Sequence, residues 1–135
     1  MLDPAAFDLL LEEAAHNLEP GFWTLTLKAV FGGWLVALVA WVVSACRDTI
    51  SQAFSIYVLS FLIPAAGLAH CIAGSTEVLM SVFAGETPLW DFFSGFLAPA
   101  TLGNTIGGVV LVTLLNFGQV VGSDKERLPN SDVDL

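Results

Sequence analysis

The sequence is poor in charged residues, and above all in basic ones. Only 13% of its 135 residues are charged, whereas soluble domains average roughly a quarter. Four lysines and arginines face thirteen acidic residues, for a formal net charge of -9. So few basic groups cannot neutralise a run of phosphates, which excludes nucleic acid as a partner. With 56% hydrophobic residues and a mean hydropathy of +0.78, the composition indicates a protein whose partner is the lipid bilayer.

The sequence has only two cysteines, and its N-terminal residues do not resemble a secretory signal. Cys46 and Cys71 form no CxxC pair and lie in or beside apolar segments, so we expect neither disulfides, nor a metal site, nor a cofactor. Both are interpreted as small apolar packing residues. The first residues are acidic and the first long apolar run begins only near Phe22, which does not fit a signal peptide.

The apolar residues fall into long segments that predict an all-α membrane domain over 21–121. Segment 22–46 is long enough to cross a roughly 30 Å hydrocarbon core with some tilt. Segment 51–84 is too long for one straight span. A last span is predicted over 101–121, after a short apolar segment over 90–98 that ends near Pro99.

Segment 51–84 is predicted to be broken, because Pro64 and the glycines at 67 and 74 interrupt it. We expect one half-helix to end near Ala66, a non-helical bend through His70 to Ser75, and a second half-helix from about Thr76. Broken backbone at membrane depth survives only where it is buried in protein or lines a wet cavity. The break therefore predicts a pathway or a tightly packed interior.

The two ends of the chain are polar. Residues 1–20 contain an amphipathic helix, with an apolar face opposite its acidic residues. Residues 122–135 are predicted to be a disordered tail. Arg47, Lys125 and Arg127 fall on one side of three spans, which places the tail of this multi-pass protein in the cytoplasm and residues 1–20 outside. An acidic N-terminal segment that faces outward is expected of a fragment whose earlier membrane spans are missing.

Three stretches together resemble the formate/nitrite transporter family. They are GLAHCIAGSTEVL, GFLAPATLGNTIGGVVLVTLLN and FGGWLVALVAW, and the resemblance runs from about residue 3 to 121. It implies helices four to six of a six-helix, aquaporin-like fold built from two inverted repeats, in the cell membrane. It also implies a homo-pentamer with one pore in each protomer, and a missing N-terminal half.

The resemblance assigns candidate pore residues one by one. His70, in AHCIAG, matches the central histidine on the family's broken helix, and Ile63 falls at the apolar constriction two turns before it. Gly33 stands where formate-channel members carry an asparagine that faces the histidine. Asn17 lies nearest the place of their anion-attracting lysine. Gly103 and Gly107 belong to faces that line the pore in the family, and they also form a GxxxG step for close helix packing.

Two further polar residues are candidates. Asn104 is expected to satisfy backbone groups freed at the start of the last helix. Glu77 has two interpretations. It caps or forms a hydrogen bond near the first turn of the second half-helix, where the macrodipole favours acid, or it has a role in proton or ion coupling. An intramembrane ionisable group is costly and tends to face a cavity, which favours a pore role for His70. A neutral His70 is expected to donate a hydrogen bond or a proton to a weak-acid anion, which then crosses the constriction as its neutral acid.

The function favoured by these residues is transport of small monovalent anions such as formate, nitrite or a short carboxylate. The alternative is a truncated or structural membrane segment with no transport of its own, since half of an inverted repeat cannot enclose the pore. An enzyme using His70, Cys71 and Glu77 is not expected. Adjacent helical side chains diverge by roughly 100°, and neither oxyanion donors nor metal ligands accompany these three residues.

Overall fold

The computed structural model describes residues 3–115, 117–118 and 121, and in this part of the chain all regular structure is helical. The predicted tail, 122–135, lies outside the described residues. We number the helices in chain order, as α1 Pro4–Leu18, α2 Phe22–Ala45, α3 Thr49–Ala65, α4 Cys71–Ala84 and α5 Leu89–Leu115. Within the described chain, α2 and α5 are the two helices long and apolar enough to cross a membrane. The all-helical class predicted from the sequence is confirmed.

The start of α1 is set by local chemistry. The Asp3 carboxylate accepts from the Ala5 backbone N–H at 3.1 Å, and Pro4 occupies the first helical position, where its missing N–H costs nothing. Ala14, on the apolar face of α1, is fully buried and belongs to a core shared with α2, α4 and α5. This packing holds α1 against α4.

Helix α3 begins at a similar cap. The Asp48 side chain accepts from the Ser51 N–H at 2.8 Å, and this hydrogen bond lowers the pKa of Asp48 below its usual value. The Gln52 amide donates to the carbonyls of Val43 and Cys46, both at 3.3 Å. These contacts fix the turn that returns the chain from α2 into α3.

The break between α3 and α4 begins where the sequence predicted but is shorter. The non-helical residues are Ala66–His70, and helix resumes at Cys71 instead of near Thr76. Gly67 adopts a left-handed φ of 60°, which turns the chain at a position where other residues would be strained. Gly74 lies inside helix α4 and does not break it. Its role is in packing, because a side chain at this position would overlap the Phe96 ring.

Helix α5 is continuous where the sequence predicted a short segment over 90–98 followed by a separate span. Pro99 lies inside it, just after a π-helical turn over Phe92–Leu97. The Ala98 N–H donates to the Phe93 carbonyl, five residues back. A widened turn relieves the clash that a proline ring makes with the preceding turn, so the helix continues through it.

Helices α2 and α5 pack with their backbones in contact. A Cβ atom added at Gly107 would overlap the Val30 carbonyl, and one added at Gly103 would overlap the carbonyl of Thr26. Much of the outer surface is apolar. Large apolar side chains are exposed there, among them Ile50 (82%), Phe83 (85%) and Trp90 (74%). A surface of this kind is typical of contact with lipid or with another apolar chain.

Candidate functional site

The break between α3 and α4 is closed by one side chain from α5. The Asn104 amide oxygen lies 2.8 Å from the Cys71 backbone N and 3.1 Å from His70 Nδ1. Its amide nitrogen lies 2.7 Å from the Ala29 carbonyl oxygen, in α2, and 3.0 Å from that of Ala69. Asn104 therefore joins three parts of the fold at the point where the helix is interrupted. As the sequence predicted, its side chain provides hydrogen-bond partners for backbone groups. It satisfies backbone of the break, however, and not of the start of a last helix.

These partners fix the orientation of the amide and show that Nδ1 of the imidazole carries a hydrogen. A backbone N–H can only donate and a carbonyl can only accept, so the Asn104 oxygen must face Cys71 and its NH2 group must face Ala29 and Ala69. An amide oxygen only accepts. His70 Nδ1 must therefore carry the hydrogen in this contact. A neutral His70 then has a bare Nε2, and only the imidazolium can donate from that nitrogen.

This assignment changes the expected chemistry of His70. The sequence-based hypothesis let a neutral His70 donate to an anion, but its single N–H is already committed to Asn104. When neutral, His70 offers a lone pair at Nε2, which suits a protonated acid or water. When charged, it offers a proton at Nε2, which suits an anion.

A cavity of about 720 Å³ runs past His70. The residues from α1 and α4 that line it lie on one side of the break, and they include Glu13, Asn17 and Glu77. On the other side, α3 and the second half of α2 supply a lining that is apolar apart from Ser60. That lining contains Val36, Val39, Ala40, Ile63 and Pro64. Ile63 is 9% exposed. The structure thus brings His70, Ile63 and Glu77 to one cavity, with a polar and an apolar end.

Glu77 reaches across to α1. Its Oε2 accepts from Asn17 Nδ2 at 2.6 Å, between residues 60 positions apart in the chain. Because α4 begins at Cys71, Glu77 lies at the end of the second turn and does not cap the helix. The predicted cap is therefore wrong, whereas Glu77 does form a hydrogen bond. Glu77 and His70, which precedes the first residue of α4, line the same cavity.

Gly33 is a packing position. It is buried, and a Cβ atom there would overlap the backbone of Asn104. An asparagine at this place, as formate-channel members carry, would force α2 and α5 apart. Gly33 does line a smaller cavity of about 380 Å³, together with His70 and Asn104.

Sequence reasoning missed two features of the site. Lys28 lines the larger cavity and directly precedes Ala29, whose carbonyl binds Asn104, so it lies at the depth of the break. The Asn17–Glu77 hydrogen bond was also missed. Asn17 and Glu77 are recognisable in the sequence as polar side chains within amphipathic or apolar segments. No local sequence pattern, however, predicts that a residue of α1 contacts a residue of α4. Within the described residues, no group of three or more potential ligands could hold a metal ion.

Comparison with known proteins gives a consistent result. The model of the family described as "Formate/nitrite transporter" matches residues 2–118. The "Uncharacterized transporter YrhG" of Bacillus subtilis is 30% identical over 114 residues, 84% of this chain and 42% of the relative. The "Probable formate transporter" of Methanothermobacter thermautotrophicus is 33% identical over 94 residues, 70% of this chain and 33% of the relative.

A third relative is the "Inner membrane protein YfdC" of Escherichia coli, 30% identical over 93 residues, or 69% of this chain and 29% of the relative. The chain thus spans less than half the length of each of these three proteins.

Proposed function

The chain belongs to the formate/nitrite transporter family, and we propose that it is one half of a membrane pore for small monovalent anions such as formate, nitrite or similar short weak acids. The observation that carries this proposal is His70, an imidazole held at a helix break and lining a cavity with one apolar end. A transport role, and not an enzymatic one, is also what the names of its relatives indicate.

The proposed arrangement has three crossings. Helices α2 and α5 each span the bilayer, and α3 and α4 enter it from opposite sides and meet at the break, so that together they make the third crossing. We propose that the α2–α3 turn, which contains Arg47, and the C-terminal tail face the cytoplasm, as the positive-inside rule favours. The name of the Escherichia coli relative supports the inner or plasma membrane as the location.

The proposed mechanism uses the two nitrogens of His70 differently. Asn104 holds Nδ1–H, and the imidazolium donates its Nε2 proton to an arriving anion. The resulting neutral acid crosses the apolar end beside Ile63, where an anion would lose its hydration without replacement. The neutral imidazole that remains accepts a proton at Nε2 before the next cycle. The N-terminus of α4 at the break favours negative charge at this point.

A complete pore requires more chain than this one. The chain spans 42% or less of the three relatives described above, and we propose that an N-terminal half closes the cavity and that the protomers form a homo-pentamer, as the resemblance implies. The same fact favours the second candidate function, a structural or truncated membrane segment without transport of its own.

The test is uptake of labelled formate and nitrite into proteoliposomes, with the chain alone and together with the part of YrhG that it does not cover. We expect uptake only with both parts. We expect His70→Ala to lower that uptake by about a hundredfold, the scale of losing a general acid. Glu12→Ala, at an exposed position of α1 outside the cavity lining, should leave it within about twofold.

Two outcomes would contradict the proposal. Equal uptake by the His70→Ala and Glu12→Ala complexes would remove His70 from the mechanism. No uptake by any combination would favour the structural segment.

A further inference from the structure

Glu77 is a carboxyl group built into the wall of the proposed pore. It is half-buried and lines the same cavity as His70. Its Oε2 accepts from Asn17 Nδ2 at 2.6 Å, whereas within the described residues its Oε1 has no hydrogen-bond partner. An amide NH2 group can only donate, so a proton carried by Glu77 must sit on Oε1. A titratable group inside a membrane segment is expensive to bury, and its presence at a cavity wall calls for a function.

Helix geometry brings this carboxyl group towards His70. Glu77 lies six residues, or about 9 Å along the axis, after Cys71, at which α4 begins. Side chains of an α-helix lean towards its N-terminus, and the N-terminus of α4 is the break. Between Glu77 and His70, the residues of α4 that line the cavity are Ala73 and Gly74, which have little bulk to displace water. The remaining distance is therefore one that water molecules in a polar cavity can bridge.

The other charged and titratable groups on the cavity come from α1, α2 and the break. Helix α1 contributes Glu13 and His16, α2 contributes Lys28, and His70 lies at the break. Helix α5, which also packs against α4, contributes none within the described residues. Glu13 and His16 are exposed, whereas Glu77 is half-buried and contacts α1 itself. Glu77 thus stands between the exposed groups and His70, and carboxyl and imidazole groups commonly exchange protons in proteins.

The tryptophans of α2 place the break off-centre in the membrane. Trp23 and Trp41 are both exposed and lie 18 residues apart, or about 27 Å, which is close to the thickness of a hydrocarbon core. Tryptophan favours the two membrane interfaces. Ala29, whose carbonyl binds Asn104 at the break, follows Trp23 by six residues, or about 9 Å. The path from His70 to water is therefore short on the side of α1 and about twice as long on the apolar side.

We propose that Glu77 is the proton donor of His70: it takes protons from water on the α1 side of the membrane and passes them, through bridging water, to Nε2 of the imidazole. The proposal rests on the transport mechanism proposed above and names the source of its proton. The Oε1–H bond of Glu77 breaks as a water molecule takes the proton, and that water gives a proton to Nε2. The carboxylate that remains takes a proton from water at the α1 end, so each cycle consumes one proton from that side.

The proton path can be measured without transport. This chain, labelled with ¹⁵N-histidine, is studied by solid-state NMR in lipid bilayers, where the His70 signals are those missing from the His70→Ala spectrum. Near half-titration, the width of the Nε2 signals gives the rate at which His70 exchanges its proton with water. Glu77→Gln still accepts from Asn17 but carries no proton, and it should slow this exchange at least about fivefold.

The matched control is Glu12→Gln, which removes the same acid from an exposed position of α1 outside the cavity lining. It should leave the exchange rate within about twofold, because solvent screens that position. Glu77→Asp keeps an acid at the site and should slow the exchange less than Glu77→Gln does. A rate that Glu77→Gln leaves unchanged, or that Glu12→Gln lowers equally, would overturn the proposal whether or not the protein transports anything.

The role in transport is tested on the two-part complex in proteoliposomes. In weak buffer Glu77→Gln should lower formate uptake at least about tenfold, and added imidazole, a small diffusible proton donor, should restore at least about half of the loss. A purely structural role of Glu77 would not respond to the buffer. Slowed proton exchange with unchanged uptake, or a loss that imidazole does not restore, would overturn the role in transport. Absence of any wild-type uptake, with proton exchange slowed as expected, would instead contradict the transport function on which the proposal rests.

Discussion

Replacing Asn104 by alanine should lower the free energy of unfolding by about 3–5 kcal/mol. The variant removes the Asn104 partner of the Ala69 carbonyl, the Cys71 backbone N–H and the His70 Nδ1–H at a part-buried helix break, while the Ala29 carbonyl keeps its place in the backbone hydrogen bonding of α2. Each unsatisfied buried group costs about 1–3 kcal/mol, and partial hydration from the cavity keeps the total below the full sum. The loss is measured by denaturation in mixed detergent micelles, followed by circular dichroism.

The neighbouring residue provides the control for Asn104. Thr105 is exposed, and its hydroxyl donates only to the Thr101 carbonyl within the same helix, at 2.8 Å. Thr105→Ala should change stability by about 0.5 kcal/mol or less. Similar losses for Asn104→Ala and Thr105→Ala would show that the amide does not hold the break together. Asn104→Asp keeps the acceptor and loses both donors, so it should be nearly as damaging as alanine.

Replacing Gly107 by alanine should cost about 2–3 kcal/mol, although it adds a single methyl group. The new Cβ would overlap the Val30 carbonyl and approach the Trp34 backbone nitrogen. Neither atom can rotate away as a side chain can, so α2 and α5 must separate, and overpacking of this kind costs about 1–3 kcal/mol. The same micelle denaturation measures it.

The adjacent glycine is a sharp comparison for Gly107. A Cβ at Gly108 would lie 3.4 Å from the Gly33 carbonyl oxygen and 3.8 Å from the Ala37 Cβ, which are acceptable contacts. Gly108→Ala should be neutral or stabilising by up to about 1 kcal/mol, because alanine has fewer unfolded conformations to lose. If both variants destabilised equally, helix propensity or lipid contact, and not the α2–α5 approach, would govern this region.

The features that could be predicted from sequence are those with local signals. Pro64 and Gly67 marked the broken helix, and His70 stood out as an ionisable residue in an apolar segment. The family motifs gave it a pore role, which stays a prediction. The all-helical class followed from composition alone, because apolar segments of this length leave few other structures in a bilayer.

The features that could not be predicted depend on packing between distant segments. Gly74 has the local signature of a breaker, and only the Phe96 ring lying over it shows that the helix continues there. Pro99 similarly suggests the end of a helix, yet the preceding π-helical turn accommodates the proline ring and the helix continues. The Asn17–Glu77 contact joins helices far apart in the sequence, where periodicity carries no information about partners.

The position of Asn104 also has a consequence for biosynthesis. The backbone groups that it satisfies, at Ala29, Ala69 and Cys71, all precede it in the chain. During synthesis the interrupted helix therefore emerges with exposed peptide groups, which a hydrocarbon environment does not tolerate. We expect the broken segment to wait at the insertion machinery until the last helix arrives, so that cross-links from position 71 to the translocon disappear only in nascent chains that expose Asn104. A premature stop before this residue would then yield a chain that cannot leave the site of insertion and is degraded there.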